Sequence, residues 1–210
     1  MPKAYDIAQV WEPQFVGNVI QVLVEALEAK DSYNQGHAKR VAEISLAIGA
    51  KMGFSAIELR DLYIGAMLHD IGKIIGATEP FLSKPGQLDQ REATILREHT
   101  MKAGLLLVGF DNLTHILPTI LYHHERWDGS GYPNRLQGES IPLHARIVAV
   151  ADAYAAMLYP RSFREAKTPE AATCELQSHK GILYDPDIVD LLLACIAEQP
   201  HEMRDFSYYF

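Results

Sequence analysis

Nine histidines are spread along this chain of 210 residues. Five of them, His37, His69, His99, His123 and His124, fall where apolar residues recur at spacings of three and four. A lone histidine on an apolar helix face is ordinarily a hydrogen-bonded core residue. Here that explanation must hold five times over, on four separate helices. Several buried imidazoles each need a partner, and a metal cluster satisfies all of them at once. Asp152 points the same way. It sits in Val148-Ala149-Val150-Ala151-Asp152-Ala153-Tyr154-Ala155-Ala156, with no Lys or Arg three or four residues away. A buried carboxylate without a counter-charge is costly or takes up a proton. A neutral Asp, or one reached by a distant Arg, is the plain alternative; a cation ligand is the more economical one. Asp70 directly follows His69, so on a helix the two side chains diverge by about 100°. Its two oxygens can bridge two ions while its neighbour binds one. Mixed imidazole and carboxylate ligands suit iron, manganese or zinc better than magnesium or calcium.

Basic residues stand near these candidates. Lys73 lies four residues after His69 and three after Asp70. A lysine at a helix end is ordinarily a solvated cap, but beside metal ligands it can hold a phosphate oxygen. Arg161 and Arg164 follow the Asp152 segment and form either a second anion clamp or a solvated turn.

The elements that must position these groups read as helices throughout. Val16, Ile20, Leu23, Val24 and Leu27 repeat helically from Pro13. A second helix runs from about Gln35 to Met52 and stops at Gly53. Ser55 with Glu58 is a capping box opening a third helix, which ends at His69-Asp70-Ile71-Gly72-Lys73. Residues 74–88 form a loop. Asp89 and Glu92 open one helix predicted to bury Leu96, His99, Ala103 and Leu107. A short helix at about 113–124 ends in His123-His124. The stretch ERWDGSGYPNRLQGES at 125–140 has three glycines and a proline and no period. A loop that long inside a compact domain is usually functional. A nearly all-apolar, hence central, helix restarts at Ser140 and Pro142. Thr168-Pro169 and Asp185-Pro186 cap the last two, ending near Gln199. No segment alternates like a half-buried strand, so the expectation is an all-α, single-domain helical bundle over 13–199. Residues 1–12 are a lead-in, and 200–210 are a tail that packs on the domain or on a second copy in a homodimer.

Composition narrows the class. The chain is 48% hydrophobic and 22% charged, with net charge −8, which excludes a disordered tail and argues against a protein that coats nucleic-acid polymers. No run suits a membrane span and no export signal opens the chain. Cys174 and Cys195 lack metal-type spacing, so two reduced thiols in a cytoplasmic protein are expected.

His69-Asp70-Ile71-Gly72-Lys73, then Lys84-Pro85-Gly86, then His123-His124-Glu125-Arg126-Trp127-Asp128-Gly129-Ser130-Gly131-Tyr132-Pro133 resemble the HD-GYP family, a branch of the HD phosphohydrolase superfamily. The similarity runs over roughly residues 25–198, and the HHE-x-W-D-G-x-G-Y-P run is highly specific. The resemblance implies an HD-type helical domain with a long GYP loop. It also implies a metal-dependent phosphodiesterase that hydrolyses cyclic di-GMP. Position by position, it makes His69, Asp70, His99, His123, His124 and Asp152 ligands of a di-metal centre bridged by Asp70. His37 matches a further ligand position. Lys73 matches the lysine on the scissile phosphate, Arg161 and Arg164 match basic positions near substrate, and Tyr132 belongs to a loop linked to the substrate pocket and to docking of GGDEF cyclase domains.

The chain departs from that pattern at three places. Tyr33 stands where three-metal members carry Glu, so two divalent transition ions, iron or else manganese, are expected. Ala155 replaces an Asp, and Asn134-Arg135 replaces a usual Asn-Gly. Two ions about 3.5–4 Å apart can hold a bridging hydroxide and polarise a phosphodiester, with Lys73 stabilising the charge that develops. A two-metal site implies the linear product pGpG ahead of GMP. The rival expectations are a catalytically weak effector that binds a cyclic dinucleotide, and a di-iron oxygenase. A cyclic GMP-AMP substrate lies within the first expectation.

Overall fold

The computed structural model describes residues 13–30, 35–75, 84, 86–160 and 165–198, with side chains from Gly17 onward. Nine α-helices are found among them: α1 (Pro13–Glu28), α2 (His37–Lys51), α3 (Ala56–Leu68), α4 (Gln90–Arg97), α5 (His99–Leu107), α6 (Leu117–Tyr122), α7 (Leu143–Leu158), α8 (Pro169–Ser178) and α9 (Pro186–Glu198). Short 3₁₀ turns occupy Ile71–Ile74, Asp111–Ile116 and Gly138–Ser140. The only strand-like pairing among the described residues is an isolated bridge between Lys180 and Tyr184. The domain is all-α. Among the described residues no helix is long and apolar enough to cross a membrane.

Local chemistry sets the helix ends. Ser55 accepts from the Glu58 amide while Glu58 accepts from the Ser55 amide, and Asp89 and Glu92 repeat the reciprocal pair. Gly53, at φ 79°, ends α2, and the Phe54 and Gly53 amides close on Gly49 and Ala50 in a Schellman pattern. Thr168 caps α8 ahead of Pro169. Asp185 accepts from the amides of Asp187 and Ile188 at the start of α9.

The predicted helix from Asp89 is two helices. It breaks at Glu98, which ends α4 and starts α5. Leu96 is therefore only half-buried, and α4 buries no residue fully. The segment ahead of His123 likewise begins as a 3₁₀ turn and becomes α6 only at Leu117.

Helix α2 packs on α3, α7 and α9, while α6 crosses α3, α5 and α7. At their centre α7 buries eight residues, among them Ile147, Val150, Ala151 and Tyr154. These meet Val41, Ile44, Ile48, Leu62 and Ile120 in one core cluster. Each fully buried aliphatic side chain there contributes about 1.5–3 kcal/mol from leaving water. Ala155 lies in the same cluster. Cys195 is buried, Cys174 is exposed, and both are free thiols.

Candidate metal centre

Helix ends deliver most of the candidate ligands. His37 is the first residue of α2 and His99 the first of α5. His69 caps the C-terminus of α3, with Asp70 next to it. His123 caps the C-terminus of α6 and His124 follows. Asp152 alone lies mid-helix, on α7. Gly72 allows the closure. A Cβ there would stand 1.8 Å from the His99 carbonyl oxygen and 2.7 Å from the Ala103 amide nitrogen. Only a residue without a side chain lets the Ile71–Ile74 turn lie flat on α5, bringing Asp70 to His99.

Seven side chains expected to converge do so, in two groups. Asp70, His99, His123 and His124 each offer an atom within 4.8 Å of the others'. His37, His69 and Asp152 form a second group at the same spacing. The groups adjoin, because His69 Nε2 lies 3.4 Å from Asp70 Oδ2 and His99 Nε2 lies 3.3 Å from Asp70 Oδ1. Asp70 is thus between them, as a bridging carboxylate would be. His37 Nε2 is 2.9 Å from Asp152 Oδ1, so the partner that α7 does not supply to Asp152 comes from α2.

The imidazoles are aimed. His69, His99 and His123 each place Nδ1 2.7 Å from the carbonyl oxygen three residues earlier, that of Ala66, Leu96 and Ile120. A carbonyl only accepts, so Nδ1 carries the proton and Nε2 presents its lone pair. All three Nε2 atoms are buried without a hydrogen-bond partner, as is Asp70 Oδ1. The His69 and His99 lone pairs, turned toward the Asp70 oxygens at 3.4 and 3.3 Å, repel them unless a cation stands among them. The donor set, imidazole nitrogen and carboxylate oxygen with the opposite ring nitrogen tied to backbone, fits divalent transition ions.

Electrostatics agree with a cation site. Burial would raise the Asp70 carboxyl, but Lys73, His69 and His99 outweigh it and hold it well below its usual range. Asp152 is likewise held well below by His37 against burial. Burial pushes His99 down to about 4 and His124 down to about 3, and His123 well below its ordinary value. His69 differs: burial lowers it, yet the neighbouring Asp70 and Asp152 carboxylates leave it raised. Lys73 Nζ donates to Asp70 Oδ2 at 2.5 Å, so it stands at the edge of the cluster. Arg161, Arg164 and Tyr33 lie outside the described residues.

The 125–140 loop folds back over the cluster. Its base is pinned where the Trp127 and Asp128 amides donate to the Leu183 and Ile182 carbonyls. Arg146 braces the same region, pairing with Asp185 at 2.6 Å and donating to the Ile141 carbonyl. Gly131 passes so close that a Cβ would meet the Arg126 amide nitrogen at 2.4 Å. Tyr132 then lays its ring 4.9 Å from that of His124, and burial raises its phenol. The Tyr132–Pro133 bond is cis.

Two residues here carry roles that no sequence pattern assigned. Glu125 is buried, and its carboxylate accepts from the Asn134 amide at 2.7 Å and the Leu136 amide at 3.1 Å. A signal for it existed: an irregular buried loop leaves amides needing acceptors, and Glu125 is the acidic residue beside the paired histidines. Arg97 lies 5.2 Å over the Tyr132 ring, and no periodicity could have placed it there.

An HD domain family model matches residues 21–188. The cyclic di-GMP phosphodiesterase response regulator RpfG of Xanthomonas campestris is 40% identical over 187 residues, covering 88% of this chain and 49% of that protein. The 3'3'-cGAMP-specific phosphodiesterase 2 of Vibrio cholerae is 36% identical, covering 81% of this chain and 33% of that protein. The chain thus spans half or less of these curated relatives. A crystal structure of a cyclic GMP-AMP specific phosphodiesterase from V. cholerae superposes with a TM-score of 0.69 at 20% identity, covering 91% of this chain and 50% of that one. That likeness bears on the fold. With the His-Asp pair, the paired histidines and the GYP loop gathered on one helical scaffold, the chain belongs to the HD domain family, in its HD-GYP branch.

Proposed function

We propose that residues 13–199 form a metal-dependent phosphodiesterase that hydrolyses cyclic di-GMP. The observation that carries this is the pair of ligand groups meeting at Asp70, with three buried Nε2 lone pairs trained on them. Asp70, His99, His123 and His124 would hold one divalent ion, and His37, His69 and Asp152, with Asp70 bridging, the other. Iron is the first choice of metal and manganese the second, since nitrogen-rich mixed sites favour them over magnesium. When bound, two such ions polarise a phosphodiester oxygen and lower the pKa of water.

The chain's own residues do the rest. The backbone carbonyls behind His69, His99 and His123 keep the ligand nitrogens aimed. Lys73 turns from Asp70 to a non-bridging phosphate oxygen and stabilises the charge that builds there. Tyr132, stacked on His124, forms one wall for the substrate, and Arg161 and Arg164 add positive charge beyond α7. Relatives named for cyclic di-GMP and for 3'3'-cGAMP support a cyclic dinucleotide, with cyclic GMP-AMP as the competitor. Tyr33, in place of a third-metal carboxylate, favours pGpG as the main product. A cytoplasmic location fits two unpaired thiols, and the exposed edge of the loop at Asn134 and Arg135 is the surface offered to a GGDEF partner.

The test is anaerobic incubation with cyclic di-GMP and ferrous iron or manganese, products resolved by chromatography beside Asp70→Ala. Turnover to pGpG that vanishes in the variant is expected. Binding without turnover under either metal would instead make the chain a cyclic-dinucleotide receptor. Rapid full conversion to GMP would overturn the inference from Tyr33 alone.

A further inference from the structure

Beside the cluster stands a stack of three side chains that metal ligation does not use. The Arg97 guanidinium lies 5.2 Å over the Tyr132 ring, which is tilted 31° from the His124 ring 4.9 Å away. The break at Glu98 fixes this arrangement. Arg97 is the last residue of α4 and His99 the first of α5, and Leu96 and Arg97 offer their carbonyls to His99 Nδ1 and the Thr100 hydroxyl. Arg97 and the candidate ligand His99 are thereby set in one turn of chain, and Tyr132 links the Arg97 guanidinium to a second candidate ligand, His124. Arg97 is exposed and forms no ion pair among the described residues. In a chain of net charge −8, an unpaired guanidinium at the rim of a buried site, steadied on an aromatic face, keeps its donors for an incoming anion.

A cyclic dinucleotide carries two phosphodiesters, and only one can be attacked at a time. The other remains charged and must lie toward the rim. We propose that Arg97, steadied by Tyr132, takes this second, non-scissile phosphate and so determines specificity for cyclic dinucleotides over single phosphodiesters. The identity of the ligand rests on the phosphodiesterase function proposed above; the cation at the rim does not.

Metal-loaded wild type, Arg97→Ala and Arg97→Lys are compared in two readouts, after matching circular dichroism shows that all are folded. The first is the dissociation constant for cyclic di-GMP. The second is the ratio of kcat/KM for cyclic di-GMP to that for bis(4-nitrophenyl) phosphate, which has a single phosphate. Loss of a charge-assisted contact predicts for Arg97→Ala a dissociation constant raised roughly tenfold or more, a ratio lowered by a similar factor and borne by KM, and partial recovery in Arg97→Lys. An unchanged ratio, whether both substrates are spared or both suffer equally, overturns the assignment. If wild type binds cyclic di-GMP without hydrolysing it, the phosphodiesterase function falls while the binding comparison still decides Arg97. If wild type binds neither cyclic di-GMP nor 3'3'-cGAMP, both fall.

Discussion

The carboxylate of Glu125, at the start of the GYP loop, and the backbone of Arg135, within it, shape the loop by different means. Glu125 spends both oxygens on loop amides. Replacing it with Gln turns an amide group toward one of those N–H donors, which at a buried carboxylate costs about 1–3 kcal/mol. For Glu125→Gln we expect a lower urea midpoint and a raised KM for cyclic di-GMP, with metal stoichiometry intact. Arg135 has φ 56° and is the sole non-glycine with positive φ among the described residues. The glycine usual at this position in the family is explained by that conformation. Arg135→Gly should stabilise the protein by about 1 kcal/mol, read as a raised urea midpoint. At this scale the histidines and Asp152 were legible because burial of their type is costly without a partner. Glu125 and Arg97 were not, since their partners come from a loop that folds back in space, and spacing along the chain carries no record of that. Ala155 shows the converse. It departs from the family's pattern, yet it packs in the apolar core, where it needs no polar partner.

Helices were legible where a side chain at the boundary does the ending. Ser55, Asp89, Thr168 and Asp185 cap as their types require, and Gly53 closes α2. The break at Glu98 was not, because no proline or glycine marks it. It is held by a local bond from His99 Nδ1 to the Leu96 carbonyl and by the tertiary contact of the Ile71–Ile74 turn against α5. Gly72 is the contact point. For Gly72→Ala, the added carbon cannot coexist with the His99 carbonyl, so the turn must lift. We expect a loss of about 1–3 kcal/mol in denaturant stability and manganese affinity lowered about tenfold or more in a titration, as Asp70 withdraws from His99. Retained manganese affinity would mean that the turn does not position Asp70.

Across the whole molecule the candidate ligands come from α2, α5, α7 and the ends of α3 and α6, so two ions held there would together tie five helices. Metal at a hundredfold excess over its dissociation constant adds about 2.7 kcal/mol, and chelation should lower the thermal midpoint accordingly. The metal-free protein should also become sensitive to pH. His99 and His124 stay neutral in the fold down to about 4 and about 3, whereas in the unfolded chain they accept protons below about 6.5. The unfolded state therefore binds more protons as pH falls from about 6.5 toward 4, and stability is lost over that window. Urea midpoints measured with chelator at pH 7.5 and 5 should differ, and a flat profile would contradict the burial of these rings.

The three carbonyls that fix the imidazole rings belong to Ala66, Leu96 and Ile120, in the final turns of α3, α4 and α6. Helix ends of this kind carry partial negative charge, here relayed through the rings to Nε2. Three such poles, with Asp70 and Asp152, give the metal-free cluster a field that repels a phosphate. Ligand addition should consequently be ordered, metal before nucleotide, and equilibrium dialysis after chelation should find cyclic di-GMP affinity sharply reduced, recovering on return of manganese.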